Sequence, residues 1–385
     1  MLLKLVYVNQ LYSLISFTGG TFQLQKRKLG RTGLEVSIVG FGGTWISELP
    51  MDEAVKVVQR AFELGINYFD TAKLDGDSEE KLGEALKYVR DDCVLATKTA
   101  SRTKSESLDD FKASLRRLQT DRLDLIQLHG IDDIKTLQKA MGLGGSLEMC
   151  KKARSEGLVD FIGISGHKPR VLMEAIKTNE FDTILVPINV ITRQALDELI
   201  PLANDLDIGI IAMKPFMAKT SQLITCLYKP SLSLLSDELE LKNYLGTDIP
   251  SRVHNALRYV LDQDVSVVIT GFKTVQEVET AAEVGNNYQT LSTERKAYFE
   301  VKFEQPYCRD CGLCLPCPEN LDIAAILRFR TLYDTYGLKN WAKKLYKGLP
   351  VNSSSCSSCD ECESKCPYNL PIVSILRECR NDLGR

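Results

Sequence analysis

No sign of charge dominates this chain: 48 Lys and Arg face 51 Asp and Glu over 385 residues, a formal net charge of -3. Nucleic-acid binders carry a basic field, so composition argues against that class of partner. Glycine (25) and proline (13) are too few for a collagen-like or low-complexity chain, and 44% hydrophobic residues are too many for a wholly disordered one. Long apolar runs are missing as well. The longest uncharged stretch, Leu5 to Gln25, is broken by Asn9, Gln10, Ser13, Ser16, Thr18 and the Gly19–Gly20 pair, whereas a membrane span needs about 20 predominantly apolar residues. Lys4 alone makes a thin n-region and no small-residue cleavage site follows it, so a soluble N-terminal extension is expected, with no membrane partner. Cysteine is the exception. There are 12, and eight fall between Cys308 and Cys366. Cysteines grouped as ligands rather than spread as staples belong in a reducing compartment, which predicts a cytoplasmic protein.

The length suggests two domains. From Val36 onward, short apolar runs alternate with amphipathic stretches. The runs are Ser37–Phe41, Ile66–Asp70, Val94–Thr97, Asp124–Leu128, Phe161–Ile164, Thr183–Pro187, Gly209–Ala212 and Val265–Ile269. Between or after them lie helix-period segments such as Asp52–Leu64, Ser78–Tyr88, Leu108–Leu118, Ser146–Glu156, Lys168–Thr178, Arg193–Asp205, Ser251–Gln263 and Val275–Val284. Apolar strands separated by helices indicate a parallel sheet buried on both faces, and eight such units predict a closed (β/α)8 TIM barrel of the α/β class. Phe216 to Pro250 reads as an insertion after the seventh strand.

Barrels of this kind carry their chemistry where strands end. Those ends hold Asp70, Lys98, His129, Ser165, Asn189, Lys214 and Gly271. Singly, each would pass for a strand cap or a solvated rim residue. A carboxylate, an ammonium and an imidazole at three successive ends converge on one mouth. The chain has only three histidines, and His129 is one of them; His167 lies near another strand end, and His254 reads as structural.

Residues 26–290 resemble the aldo/keto reductases, on Arg27-Lys-Leu-Gly-Arg-Thr-Gly-Leu-Glu-Val-Ser37, Gly65-Ile-Asn-Tyr-Phe-Asp70-Thr-Ala, Ser78-Glu-Glu-Lys-Leu-Gly83, Ala96-Thr-Lys-Thr and Asp124-Leu-Ile-Gln-Leu-His-Gly. The resemblance implies hydride transfer between NAD(P) and a carbonyl, with Asp70, Lys98 and His129 matching the family's aspartate, lysine and histidine. The family's proton-donating tyrosine is missing. Its pattern Asp-Thr-Ala-x-x-Tyr-Gly-x-Ser-Glu reads here Asp70-Thr-Ala-Lys-Leu-Asp75-Gly-Asp-Ser-Glu79. A carboxylate beside Lys98 is expected to be ionised and a poor acid at neutral pH. Asp75 is thus a base for alcohol oxidation, or a member of an ion-paired Asp70–Lys98–Asp75 set that does no chemistry. Tyr68 lies inside a strand and is expected to pack rather than substitute.

On the cofactor side, the resemblance assigns Ser165 and Asn189 to the nicotinamide carboxamide, and Lys214 ends the seventh strand of the same mouth. Gly271-Phe-Lys273-Thr274 opens a helix and could offer N–H groups and the Lys273 ammonium to a phosphate; Lys273 as a solvated loop residue is the alternative. Thr280-Ala281 stands where the family grips adenine with a Glu-Asn pair.

The tail carries Cys308-x-x-Cys311-x-x-Cys314-x-x-Cys317-Pro318 and Cys356-x-x-Cys359-x-x-Cys362-x-x-x-Cys366-Pro367. The second is the bacterial [4Fe–4S] run, and the first shortens its last gap by one residue. Three thiolates at two-residue gaps wrap one cluster while the Cys-Pro cysteine reaches the other. One cluster then takes Cys308, Cys311, Cys314 and Cys366, the other Cys356, Cys359, Cys362 and Cys317. Zinc is the competing reading, but its motifs usually come as separated pairs. Leu321–Tyr336 and Leu338–Lys347 carry helix-period apolar residues between the motifs, so the tail resembles a small, mainly α-helical ferredoxin-like module. Arg328, Arg330, Lys339, Lys343, Lys344 and Lys347 form a basic stretch with Asp334 as the one acid. It is either a solvated helix face or a docking patch for an acidic electron-transfer partner. Cys93, Cys150, Cys226 and Cys379 are expected to be ordinary thiols or core residues.

The organisation expected is an extension (1–25), a reductase-like barrel (26–300) and a two-cluster domain (301–385). The leading functional expectation is an oxidoreductase in which the barrel binds NAD(P) or an organic small molecule and two [4Fe–4S] clusters relay electrons to or from a protein partner. A non-catalytic electron-transfer or assembly protein with a degenerate barrel is the alternative, and a reductase with structural or oxygen-sensing clusters is a third.

Overall fold

The computed structural model describes residues 24–190, 192–216, 249–294, 296, 307–309, 311–334 and 338–384. Most of the N-terminal extension, the body of the Phe216 to Pro250 insertion and Cys226 lie outside them. The chain forms two compact units, one built on residues up to Asn189 with Ala195–Pro215 and Ala256–Thr290, the other including everything from Leu291 onward.

The first unit opens with a hairpin of β1 (Lys26–Lys28) and β2 (Glu35–Ser37), paired antiparallel. Eight parallel strands then close a barrel: β3 (Val39–Gly42), β4 (Tyr68–Asp70), β5 (Val94–Thr99), β6 (Leu123–Leu128), β7 (Val159–Ser165), β8 (Thr183–Pro187), β9 (Gly209–Met213) and β10 (Val267–Gly271), with β10 paired back onto β3. The expected run Ser37–Phe41 is therefore two strands. Ser37 finishes the hairpin, where its backbone N–H donates to Asn67 Oδ1 at 2.7 Å, and the barrel strand starts two residues later.

The helices follow the expected order: α1 (Met51–Glu63), α2 (Ser78–Leu86), α3 (Lys104–Arg117), α4 (Ile134–Met141), α5 (Ser146–Ser155), α6 (Pro169–Ile176), α7 (Leu199–Asp205), α8 (Ile249–Leu261) and α9 (Val275–Asn286). Helix α4, absent from the sequence reading, is set by Asp133, whose side chain accepts from the Thr136 N–H. Helix α7 starts six residues later than Arg193, because Pro201 is tolerated only in a first turn.

Side chains alternate along each strand, so one parity fills the barrel. Tyr68, Val94, Ala96, Leu125, Leu185, Ile211, Val267 and Ile269 form the interior, and Leu29 and Val36 from the hairpin join them. The hairpin reaches this position through Gly30, at φ +49°, where a Cβ would stand 2.3 Å from the Gly209 nitrogen. Tyr68 packs in this core, as its place inside a strand predicts.

The second unit is helical among its described residues: α10 (Ile323–Asp334), α11 (Lys339–Lys347), the short α12 (Glu361–Ser364) and α13 (Ile372–Asp382). Ile323, Ile326, Leu327, Leu332, Tyr346, Ile372 and Leu376 are buried there. Arg330 does not belong to a basic surface stretch. Its guanidinium pairs with Asp334, Glu378 and Asp382, the last at 2.6 Å, and its side chain is only 16% exposed. Helix α13 supplies two of those three acids, which local sequence about Arg330 does not contain. Cys93, Cys150 and Cys379 are buried, and burial pushes each thiol up to about 12, as befits core residues.

Candidate active site and cysteine centre

The interior parity of each strand continues past the apolar core to its C-terminal end. Two residues beyond Tyr68 is Asp70, two beyond Ala96 is Lys98, and two beyond Leu125 is Gln127, so all three side chains enter the same mouth. The Lys98 ammonium pairs with Asp70 Oδ1 and donates to the Thr71 carbonyl at 2.7 Å. Gln127 Nε2 donates to Asp70 Oδ2 at 2.6 Å. Asp70 and Lys98 are 3% and 6% exposed, so this is a buried ion pair. Burial raises the Asp70 carboxyl above the usual carboxylate range, although Lys98 and Gln127 pull the other way. Gln127 lies within the Asp124–Gly130 stretch that carries the resemblance, which assigns it no role; its parity with Leu125 is the signal that points it into the mouth.

Asp75 lies on the turn between β4 and α2, within electrostatic reach of Lys98 and Asp70, and accepts a hydrogen bond from the Thr44 side chain. Desolvation is the larger influence and Lys98 opposes it, so the Asp75 carboxyl is raised from its ordinary value. His129 follows β6, its N–H bonded to the Thr99 carbonyl at 2.9 Å, and Arg102 Nη2 donates to the His129 carbonyl at 2.6 Å. Burial, with Lys98, Arg102 and His167 adding to it, pushes the His129 imidazole down to about 3, so it is neutral at physiological pH. Its Nδ1 is buried without a partner. A neutral imidazole here can orient a carbonyl oxygen but is no store of protons.

The expected cofactor residues divide. Ser165 ends β7 and its Oγ accepts the Gly130 N–H at 3.0 Å, which leaves the hydroxyl proton to give. Asn189 Nδ2 donates to the Lys214 carbonyl at 3.0 Å, and the Lys214 ammonium meets His167 Nε2 at 2.6 Å. At the other end of the mouth, Trp45 covers Gly271 so closely that a Cβ there would stand 1.9 Å from the indole Cδ1. Thr274 heads a capping box with Glu277, and Glu277 also accepts the Lys273 N–H at 2.6 Å. The Lys273 and Thr274 N–H groups are thus taken by the chain's own carboxylate. The Lys273 ammonium, over the Trp45 ring at 4.5 Å, is held by Glu48 in a solvent-exposed pair. Such pairs are worth only about 0–1 kcal/mol, so a phosphate can displace Glu48. Of the groups expected on the cofactor side, Ser165 Oγ and the Lys273 side chain are the ones that would hold a nucleotide, rather than the Lys273 and Thr274 N–H groups.

In the second unit, Cys317, Cys356, Cys359 and Cys362 line one cavity together with Cys314. Burial, then Cys311, with smaller contributions from Cys362 and Cys366, pushes Cys314 up to about 12; burial, with Cys356 among the lesser causes, pushes Cys362 up to about 11. Buried thiols crowded this way are costly as bare thiolates, and an iron–sulfur cluster supplies the compensating positive charge. Among the described residues no three Cys, His, Asp or Glu side chains form the tight shell of a single ion. The donor set fits clusters that take Cys317 into the second triplet. Replacing Cys317 by Ser is accordingly expected to lose about half of the bound iron. The Cys317→Ser/Cys356→Ser double variant should lose no more, whereas Cys317→Ser/Cys311→Ser should lose nearly all. Iron analysis of anaerobically reconstituted protein distinguishes these outcomes, and additive losses in the first pair would refute the crossed assignment.

Residues 38–301 match the model of the aldo/keto reductase family, and residues 307–371 match that of a 4Fe-4S dicluster domain. The uncharacterized oxidoreductase YqkF of Bacillus subtilis (strain 168) is 30% identical over 307 residues, spanning 71% of this chain and 95% of that protein. L-galactose dehydrogenase of Arabidopsis thaliana is 28% identical over 309 residues, covering 73% and 94% of the two chains. Among solved structures, the holo form of aldo-keto reductase AKR11C1 from Bacillus halodurans superposes with a TM-score of 0.61 at 27% identity, over 72% of this chain and 96% of that one. The closed eight-stranded barrel, its Asp70–Lys98 pair and these matches lead to one conclusion: the chain belongs to the aldo/keto reductase family and carries a 4Fe-4S dicluster domain C-terminal to the barrel in sequence.

Proposed function

We propose that the barrel mouth binds a small carbonyl or alcohol substrate beside a nicotinamide nucleotide, and that two [4Fe–4S] clusters relay electrons between this site and a protein partner. The observation that carries the reading is the covalent union of a strand-end set, Asp70, Lys98 and His129, with eight cysteines in two cluster motifs. The reading takes residues 26–300 as the barrel and 301–385 as the cluster domain, working in a reducing, cytoplasmic setting. Neutral His129 orients the substrate oxygen. Lys98, braced by Asp70 and the Thr71 carbonyl, sets the local positive potential. Ser165 and Lys273 hold the nucleotide, which supplies hydride when bound; Asn189 and Lys214 line the same rim. Each cluster, when bound, passes single electrons, so a carrier able to split a pair must stand between hydride and cluster.

Asp75 favours a second reading, in which the barrel has lost reductase chemistry and the protein serves electron transfer or assembly alone. Anaerobic reconstitution followed by NADPH and then dithionite separates the two. Bleaching of the visible cluster absorption by NADPH is the outcome the relay predicts. Bleaching by dithionite alone, with NADPH shown to bind, would instead favour an outside electron donor and an idle barrel.

A further inference from the structure

A second polar chain occupies the barrel mouth, separate from Asp70 and Lys98. Asp132 lies in the loop after β6, His167 follows β7 and Lys214 follows β9. His167 Nδ1 meets Asp132 Oδ2 at 3.0 Å, and the His167 backbone N–H donates to the other oxygen of the same carboxylate. Lys214 Nζ meets His167 Nε2 at 2.6 Å. Donor and acceptor chemistry fixes the protons. A carboxylate only accepts, so Nδ1 carries hydrogen toward Asp132; an ammonium only donates, so Nε2 is the acceptor. One proton is therefore shared between the lysine and a neutral imidazole that a carboxylate orients.

Two further features point to function rather than packing. Lys214 has φ +59°, a left-handed conformation uncommon outside glycine, and Asn189 anchors its carbonyl at 3.0 Å. The His167 and Asp132 side chains are 35% and 41% exposed, so small molecules reach them. A nucleophile within hydrogen-bond reach of a base, with that base held by a third group, is the general pattern of an activated nucleophile.

We propose that Lys214 is an amine nucleophile for small carbonyl compounds, with His167 as its general base and Asp132 as the residue that orients the imidazole. The ammonium proton passes to His167 Nε2. The neutral amine then attacks the carbonyl carbon, and the carbonyl oxygen takes that proton back to form a carbinolamine. The hydroxyl then leaves as water with one of the two protons still on nitrogen, forming the C=N bond of a protonated imine that keeps the third proton and the positive charge of the original ammonium. No electron is gained or lost, and no further reactant is consumed. The inference rests on the reading of the mouth as a carbonyl site, but it needs neither nucleotide nor cluster, so the two readings fail independently.

The test is reductive trapping on the full-length, anaerobically reconstituted protein. Propanal and cyanoborohydride are added at about pH 6.5, where an ordinary lysine of pKa ~10.4 is protonated. Peptide mass spectrometry compares alkylation of Lys214 with that of Lys56, whose side chain is 70% exposed. Lys214 is expected to react at least about tenfold faster, and His167→Gln to remove most of that advantage while Lys56 is unchanged. Asp132→Asn should act in the same direction more weakly. Equal rates at Lys214 and Lys56 in the wild-type protein would overturn the proposal without recourse to any variant. So would a His167→Gln protein, folded by circular dichroism, that labels Lys214 as fast as the wild type.

Discussion

Asp75→Tyr is expected to raise NADPH-dependent reduction of a small aldehyde by about 10²–10⁴-fold, the usual worth of a positioned general acid. The motif resemblance sets Asp75 against the family's tyrosine, and Asp75 lies within the field of Lys98 and Asp70. A phenol there would find the lysine needed to ease proton release, and neutral His129 to hold the substrate oxygen. The present carboxyl is raised by burial, but its ordinary value near 3.9 starts far below that of a phenol near 10. The measurement is steady-state NADPH oxidation, with nucleotide binding followed separately by fluorescence. A rate that stays flat while NADPH binds would mean that the mouth no longer positions a carbonyl against the nicotinamide. A failure to bind would locate the loss at Ser165 or Lys273 instead.

Lys98→Met is expected to destabilise the barrel by about 3–5 kcal/mol, because it leaves the Asp70 carboxylate buried without its counter-charge. Gln127 alone remains to bond it, at 2.6 Å. The sign of the pH dependence follows from the raised Asp70 carboxyl. A native state that holds a proton more tightly than the unfolded chain gains stability as pH falls. Without Lys98, which lowers that carboxyl, the rise is larger and the window extends further above the unfolded value. The defect should therefore be greatest in neutral and alkaline buffer and should shrink as pH falls through the native pKa toward the unfolded one. Thermal melts across that range test this. A defect independent of pH would show that packing, not charge, is what Lys98 supplies. Lys98→Met/Asp70→Asn should recover part of the loss, since the uncompensated charge is then gone.

Much of the fold was legible in the sequence because its signals are local. Buried parallel strands read as short apolar runs, and the period-two parity that fills the barrel also carries Asp70 and Lys98 into its mouth. The dicluster domain declares itself by cysteines at two-residue spacing and a following proline. The missing tyrosine is likewise a matter of one position in a short motif. Where local signals misled, a neighbour distant in sequence had decided. Arg330 looked like part of a basic face until α13 brought Glu378 and Asp382 to it. Glu277 and Glu48 hold the groups of Lys273 that seemed open to phosphate.

The sequence by itself determined the order of strands and helices and the placing of the two cysteine runs behind the barrel segment in the chain, since each depends on local composition and covalent spacing. Only the tertiary structure joined Gln127 to Asp70 and Asp132 through His167 to Lys214, contacts spanning 57, 35 and 47 residues. Such contacts exist because the barrel closes and brings the ends of separate strands to one mouth, which no local run of residues encodes.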